Sequence, residues 1–302
     1  MKNIINFLFL VMLIAIASRH AHAELNIFAC EPEWAALAQE LAADKASIYA
    51  ATTALQDPHQ IQARPSLIAK ARRAQLTVCT GAELEIGWLP VILRESANSD
   101  IAPGKPGSFE AARYVAMRDV PARLDRADGD VHAAGNPHIQ TDARNYLPVA
   151  QALSARMAEL DPRNAAFYRD RLQTFTQKWQ VAIARWEKQA APLKGQSIAV
   201  QHTAFPYLSN WLGMREVVAL EPKPGMEPSV SHLAQVVAQL QQHPARMVLR
   251  AAYQNPKPSE WIAEHAHITA VMLPFSVGGT DGAKDLFSLF DDTIQRLVAG
   301  LK

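Results

Sequence analysis

The 302-residue sequence has two cysteines, Cys30 and Cys79. Two are too few for a disulfide scaffold or for a zinc site built from cysteine, and their distance in sequence excludes a redox dithiol motif. Charge of either sign is not in excess: 30 Lys and Arg face 29 Asp and Glu. Such a balance supplies no electrostatic attraction for nucleic acid or an anionic membrane. Long basic or acidic runs and low-complexity tracts are absent as well. Neither His-Glu-x-x-His nor a histidine-x-histidine-x-aspartate-histidine run occurs, which removes two common signatures of metallohydrolases. The apolar stretch at the start, Ile4 to Ala17, falls short of the ~20 residues of a membrane span.

That stretch reads instead as an export leader. Lys2 gives it a positive start, and Ala21-His22-Ala23 is a small-x-small cleavage site, with the cut before Glu24. No cysteine directly follows the cut, so a lipoprotein anchor is not indicated. The expectation is a soluble, periplasmic protein whose remaining chain is long enough for two domains or lobes.

Two tripeptides stand out, Asp57-Pro58-His59 and Asn136-Pro137-His138. Proline fixes its own φ and pushes the preceding residue out of the helical region, so each histidine sits at a stiff turn. One such tripeptide alone is usually a solvated loop. A second, with His202 and Asp281 also just past expected strands, points to ligands aimed into a cleft. Imidazole nitrogens and a carboxylate suit a divalent cation of borderline hardness, and three histidines plus one aspartate complete a tetrahedron around zinc. His132, on the Pro/Gly/Asp-rich loop before His138, is an auxiliary candidate that assists metal capture. His232, His243, His265 and His267 lie on or beside expected helices and read as surface or capping residues.

From Glu24 onward short apolar runs alternate with amphipathic stretches, which predicts α/β architecture with mainly parallel sheets. Strands are expected at Leu25–Cys30, Ser47–Thr53 and Gln75–Thr80, with a further short one at Tyr114–Met117. Asp161-Pro162 is a helix start signal. Tyr168, Leu172, Phe175, Trp179, Ala182 and Trp186 then form one apolar stripe on an expected helix of some 27 residues. That length exceeds the usual ~10–14 residues and suggests a strut between lobes. The predicted organisation is a lobe over 24–163, a linking helix over 164–191 and a second lobe over 192–302.

The order of motifs resembles the metal-binding solute receptors of ABC importers, the ZnuA/TroA-like group, over essentially the whole chain after the leader. The matching stretches are Asp57-Pro58-His59 with Arg64-Pro65-Ser66, Gly81-x-Glu83-x-Glu85-x-x-Trp88, and Gly135-Asn136-Pro137-His138. Further on come His202-x-x-Phe205-x-Tyr207, Glu221-Pro222-x-Pro224-Gly225 leading to Pro228-Ser229 and His232, and Asp281 ahead of Asp292-Thr293-Ile294. The long histidine-rich loop of many zinc receptors is missing.

The resemblance implies two α/β lobes bridged by a rigid helix, one metal in the cleft, and no enzymatic activity. It carries the ligand positions to His59, His138, His202 and Asp281. It also implies zinc as cargo, a membrane permease as partner and a monomeric chain, with a manganese receptor or a metal-dependent adhesin as alternatives. In the usual strand order of such lobes Cys30 and Cys79 end neighbouring strands, so a disulfide between them is expected in an oxidising compartment, two separate buried thiols being the alternative. Glu83, Glu85 and Trp88 are expected to be structural or docking residues.

Overall fold

The computed structural model describes residues 24–302 apart from 124, 126, 128 and 130; the expected export leader lies outside the described residues. The first sheet is built from β1 (Leu25–Ala29), β2 (Ala46–Ala50), β3 (Leu76–Cys79) and β4 (Ser108–Glu110). Its order is β2-β1-β3-β4, every pair parallel. Helices α1 (Pro32–Ala42), α2 (Pro65–Ala71) and α3 (Leu89–Ser96) connect the strands, each with proline in its first turn. The second sheet repeats the plan: β5 (Ser197–Val200), β6 (Arg215–Ala219), β7 (Met247–Ala251) and β8 (Thr269–Leu273) lie in the order β6-β5-β7-β8, again parallel. The central strands β1, β3, β5 and β7 are nearly continuous apolar runs, as sheets covered on both faces require.

Between the sheets run α4 (Tyr146–Leu160) and α5 (Ala165–Gln189). The expected start of the long helix is displaced: Pro162–Asn164 form one 3-10 turn before α5 begins. The Asp161 carboxylate accepts from the Asn164 side chain at 2.7 Å and the Tyr168 hydroxyl at 2.7 Å rather than capping a backbone amide. Along α5, Tyr168, Phe175, Trp179, Ala182 and Trp186 are buried, as the stripe predicts. Each large side chain there contributes roughly 1.5–3 kcal/mol on transfer from water. Trp179 packs on Tyr146 of α4 and Phe290 of α9 (Leu286–Ala299), and its indole donates to the Ala143 carbonyl at 2.7 Å. Trp186 donates to Asp291 of α9 at 2.6 Å, and Arg171 donates to the Glu40 carbonyl of α1 at 2.8 Å. One helix is therefore bonded to both halves, and one hydrophobic core runs from Leu25 to Leu297.

One expected strand is corrected. Tyr114–Met117 is not a strand; the fourth strand is Ser108–Glu110, and Ala111–Tyr114 coil into a 3-10 turn. The Gly107 carbonyl accepts from the Thr77 amide at 2.7 Å and so fixes where pairing begins. The disulfide is present, Cys30 to Cys79 with Cα atoms 4.8 Å apart. The register Ala29↔Val78 puts those two cysteines side by side at the next position.

Beneath that disulfide lies a group of buried carboxyls. Burial pushes Glu85 up to about 7, against the hydrogen bonds it accepts from the Thr80 and Gly81 amides. Burial likewise raises Glu33 to about 7, and burial reinforced by Glu85 and Glu33 raises Glu31 well above the usual range. Folded carboxyls with raised values hold protons that the unfolded chain has released. For Glu85 and Glu33 stability therefore falls as pH rises from about 4.5 to about 7 and levels off above. Glu85→Gln should flatten that slope and gain on the order of 1–3 kcal/mol relative to wild type between pH 5 and pH 8. Thermal unfolding at both values checks it; parallel curves for the two chains would show Glu85 is ionised throughout.

Candidate metal centre

His59 follows β2, His138 follows the long loop after β4, and His202 stands two residues beyond β5. All lie past carboxyl ends of strands, where open α/β sheets collect ligands. The ligand atoms of these three histidines fall within 4.8 Å of one another. His138 and His202 are buried, and the Nε2 atoms of the two approach to 3.2 Å. Two nitrogens ~2.0–2.1 Å from a tetrahedral zinc would be about 3.3 Å apart, so this spacing already suits a shared cation.

The two Pro-His turns are built alike. The Asp57 carboxylate accepts from the His59 amide at 3.0 Å, and the Asn136 side-chain oxygen accepts from the His138 amide at 3.0 Å. Such Asx turns hold the backbone without help from a helix or sheet. Each turn is then pinned from outside. Trp88 donates its indole N–H to the Pro58 carbonyl at 2.9 Å, which gives that tryptophan its structural task. Asn136 donates to the Thr203 carbonyl at 2.7 Å, and the Tyr207 hydroxyl donates to the Asn136 carbonyl at 2.8 Å. The first-lobe turn is thus tied to the residue next to His202. Gly135 has φ +104°, and a Cβ there would lie 2.5 Å from the Arg118 carbonyl, so this position admits only glycine.

Ring orientation is fixed by carboxylates. Nδ1 of His59 bonds to Asp57 at 2.9 Å, and Nδ1 of His202 bonds to Glu221 at 2.7 Å. Each bond commits Nδ1 and leaves Nε2 as the metal-facing atom, the usual role of carboxylates around ligating histidines. Burial opposes ionisation of Asp57, yet the ring and amide of His59 hold its carboxyl below the ordinary value. His138 differs. Burial, reinforced by the imidazoles of His59, His202 and His132, holds its ring well below the ordinary imidazole range. A ring kept neutral there is ready to accept a cation.

His132 is buried and its ring stacks on that of His59 with centroids 5.5 Å apart. Its loop is held by Glu83, which accepts from the Ala133 amide at 2.7 Å. Asp281 is not brought to this cluster: it is exposed on the turn after β8, and its carboxylate is outside the group formed by the three histidines. That turn is closed by the Gly278 amide donating to Ala283 at 2.6 Å, while Phe275 meets His138 with ring centroids 5.5 Å apart. Of the remaining histidines, His243 and His267 end helices, His265 stacks on Trp261, and the His232 amide is capped by Ser229. Glu221 was not singled out from sequence as a partner of His202. The register Val200↔Ala219 places both two residues past paired strand ends, and only strand order reveals that.

Three convergent imidazoles between two parallel-sheet lobes joined by a long helix define a metal-capturing solute-binding protein. The family model described as "ZnuA: Zinc-uptake complex component A periplasmic" matches residues 27–300, and the chain belongs to that family of non-enzymatic metal receptors of ABC importers. It is 23% identical over 227 residues to the high-affinity zinc uptake system protein ZnuA of Yersinia pestis, covering 70% of each chain. It is 20% identical over 307 residues to the manganese ABC transporter substrate-binding lipoprotein PsaA of Streptococcus pneumoniae (strain R6), covering 98% of this chain and 96% of the relative. The fold matches a crystal structure of ZnuA with a TM-score of 0.76 at 19% identity, over 93% of this chain and all of that one. A manganese-bound periplasmic metal-binding protein from Candidatus Liberibacter asiaticus matches with a TM-score of 0.75 at 16% identity, over 92% and 100% of the two chains.

Proposed function

We propose that this chain is a periplasmic zinc receptor, exported by cleavage after Ala23, that captures one Zn2+ and delivers it as a monomer to an ABC permease. The observation that carries the choice of metal is the all-imidazole cluster of His59, His138 and His202, with carboxylates bonded to the rings rather than placed among the ligand atoms. Neutral nitrogen donors favour zinc over manganese by softness and by the general affinity order of divalent ions. Carboxylate-rich shells suit manganese better. Both metals are named among relatives of similar identity, and the donor set is what supports zinc in this reading.

The three imidazoles leave a fourth position to be filled. Asp281 is exposed on the turn from Ser276 to Ala283 and outside the histidine group, and in this reading it joins the shell when that turn opens. His132 already stands against His59, beside the three ligands, and we assign it a role in guiding the ion to them rather than a place among them. Zinc titration by calorimetry, with manganese as competitor, tests the reading. One zinc per chain is expected, bound at least ~100-fold more tightly than manganese. Equal affinities for the two ions would remove the zinc assignment and leave a general divalent-metal receptor.

A further inference from the structure

A second set of metal-type donors lies apart from the histidine cluster. Sγ of Cys30, Sγ of Cys79 and a carboxylate oxygen of Glu85 fall within 4.8 Å of one another, all three residues being buried. Cys30 follows β1 and Cys79 ends β3, at the point where strand order reverses in the first sheet. Glu31, next in sequence to Cys30, shares the Thr80 amide with Glu85, at 3.3 and 2.7 Å. Glu31 is 3% exposed, and its Oε1 is buried with no hydrogen-bond partner. A way in exists: Cys79 and Glu85 line a cavity of about 930 Å³ beside α3 and β4, whose wall also includes Glu83, Leu89 and Phe109.

We propose that, once the disulfide is reduced, the Cys30 and Cys79 thiolates and the Glu85 carboxylate form a second site for a thiophilic divalent cation, with Glu31 as fourth donor. Two sulfurs on a tetrahedral zinc lie about 3.8 Å apart, given Zn–S bonds of ~2.3 Å. Cα atoms 4.8 Å apart are compatible with that separation once the S–S bond is broken and the side chains turn about Cα–Cβ. Reduction needs an external two-electron donor. A dithiol cleaves the S–S bond and becomes a disulfide itself. A phosphine does the same, taking its oxygen from water, whose two hydrogens end on the cysteines. Cation binding then releases both thiol protons and the proton on any neutral carboxyl that joins the shell. The site would exist only in reduced protein, so metal stoichiometry would report redox state.

Cadmium is the probe, because its thiolate complexes absorb in the ultraviolet by charge transfer and its carboxylate or imidazole complexes do not. The full chain, stripped with chelator, is titrated with Cd2+ before and after phosphine reduction, with circular dichroism recorded on both forms. The reduced chain should take two equivalents and develop the thiolate band; the oxidised chain should take one and develop none. Cys79→Ser should lose the second equivalent and the band while keeping the first. Glu85→Gln should retain both thiols and weaken the second equivalent at least ~10-fold. A reduced chain that takes one equivalent, that loses its native spectrum, or whose second equivalent ignores Glu85→Gln overturns the proposal. The first equivalent, measured on oxidised protein, reads the histidine cluster separately.

Discussion

His202→Ala should reduce zinc affinity by on the order of 1,000-fold, more than the ~10–100-fold typical of losing an outer partner of a ligating histidine. His202 brings the second lobe to the metal, and its Nε2 lies 3.2 Å from that of His138. Glu221→Gln should fall in the ~10–100-fold range, because the amide no longer offers a carboxylate to Nδ1. His132→Ala should lose less than His202→Ala, since His132 rests on His59 rather than within the tight group of ligand atoms. Asp281→Ala should lose least while the turn after β8 stays closed. Competition against a calibrated chelator ranks the four variants. Equal losses for His202→Ala and His132→Ala would mean that the first shell is drawn wrongly, and a large loss for Asp281→Ala would mean that the turn opens on binding.

Much of this arrangement was legible before any coordinates. The α/β alternation, the long buried stripe and the Pro-His turns each follow from local rules, periodicity in the first two and fixed proline φ in the third. The disulfide was legible for a different reason, since it needs only strand adjacency and register. What local patterns could not reach were contacts between distant elements. Glu221 sits 19 residues from His202, just past the end of the neighbouring strand, and nothing near either residue marks the pairing. Trp88 and Glu83 were visible as a motif, yet their tasks, holding Pro58 and Ala133, depend on loops brought in from elsewhere. The short β4 was misplaced because Ser108–Glu110 has too few residues to show a period of two, whereas Tyr114–Met117 is the more apolar run.

Zinc should leave as pH falls, but with fewer protons than a count of ligands suggests. Histidine binds metal only when neutral, so protons compete with zinc and affinity rises with pH through the imidazole range near ~6.5. Three ordinary imidazoles would take up three protons as the metal departs, and log affinity would approach a slope of three against pH. His138 does not join that range: burial, with three imidazoles facing it, holds its ring well below. Among the described residues no carboxylate bonds to that ring. The slope just below the imidazole range should therefore stay below three. Affinity would then fall by less than the about 1,000-fold per pH unit that three protons imply. Calorimetry in buffers of different ionisation heat counts the protons directly. Uptake of three protons per zinc lost would show that His138 titrates with the others. Affinity flat from neutral to mildly acid conditions would show that imidazoles do not hold the ion at all.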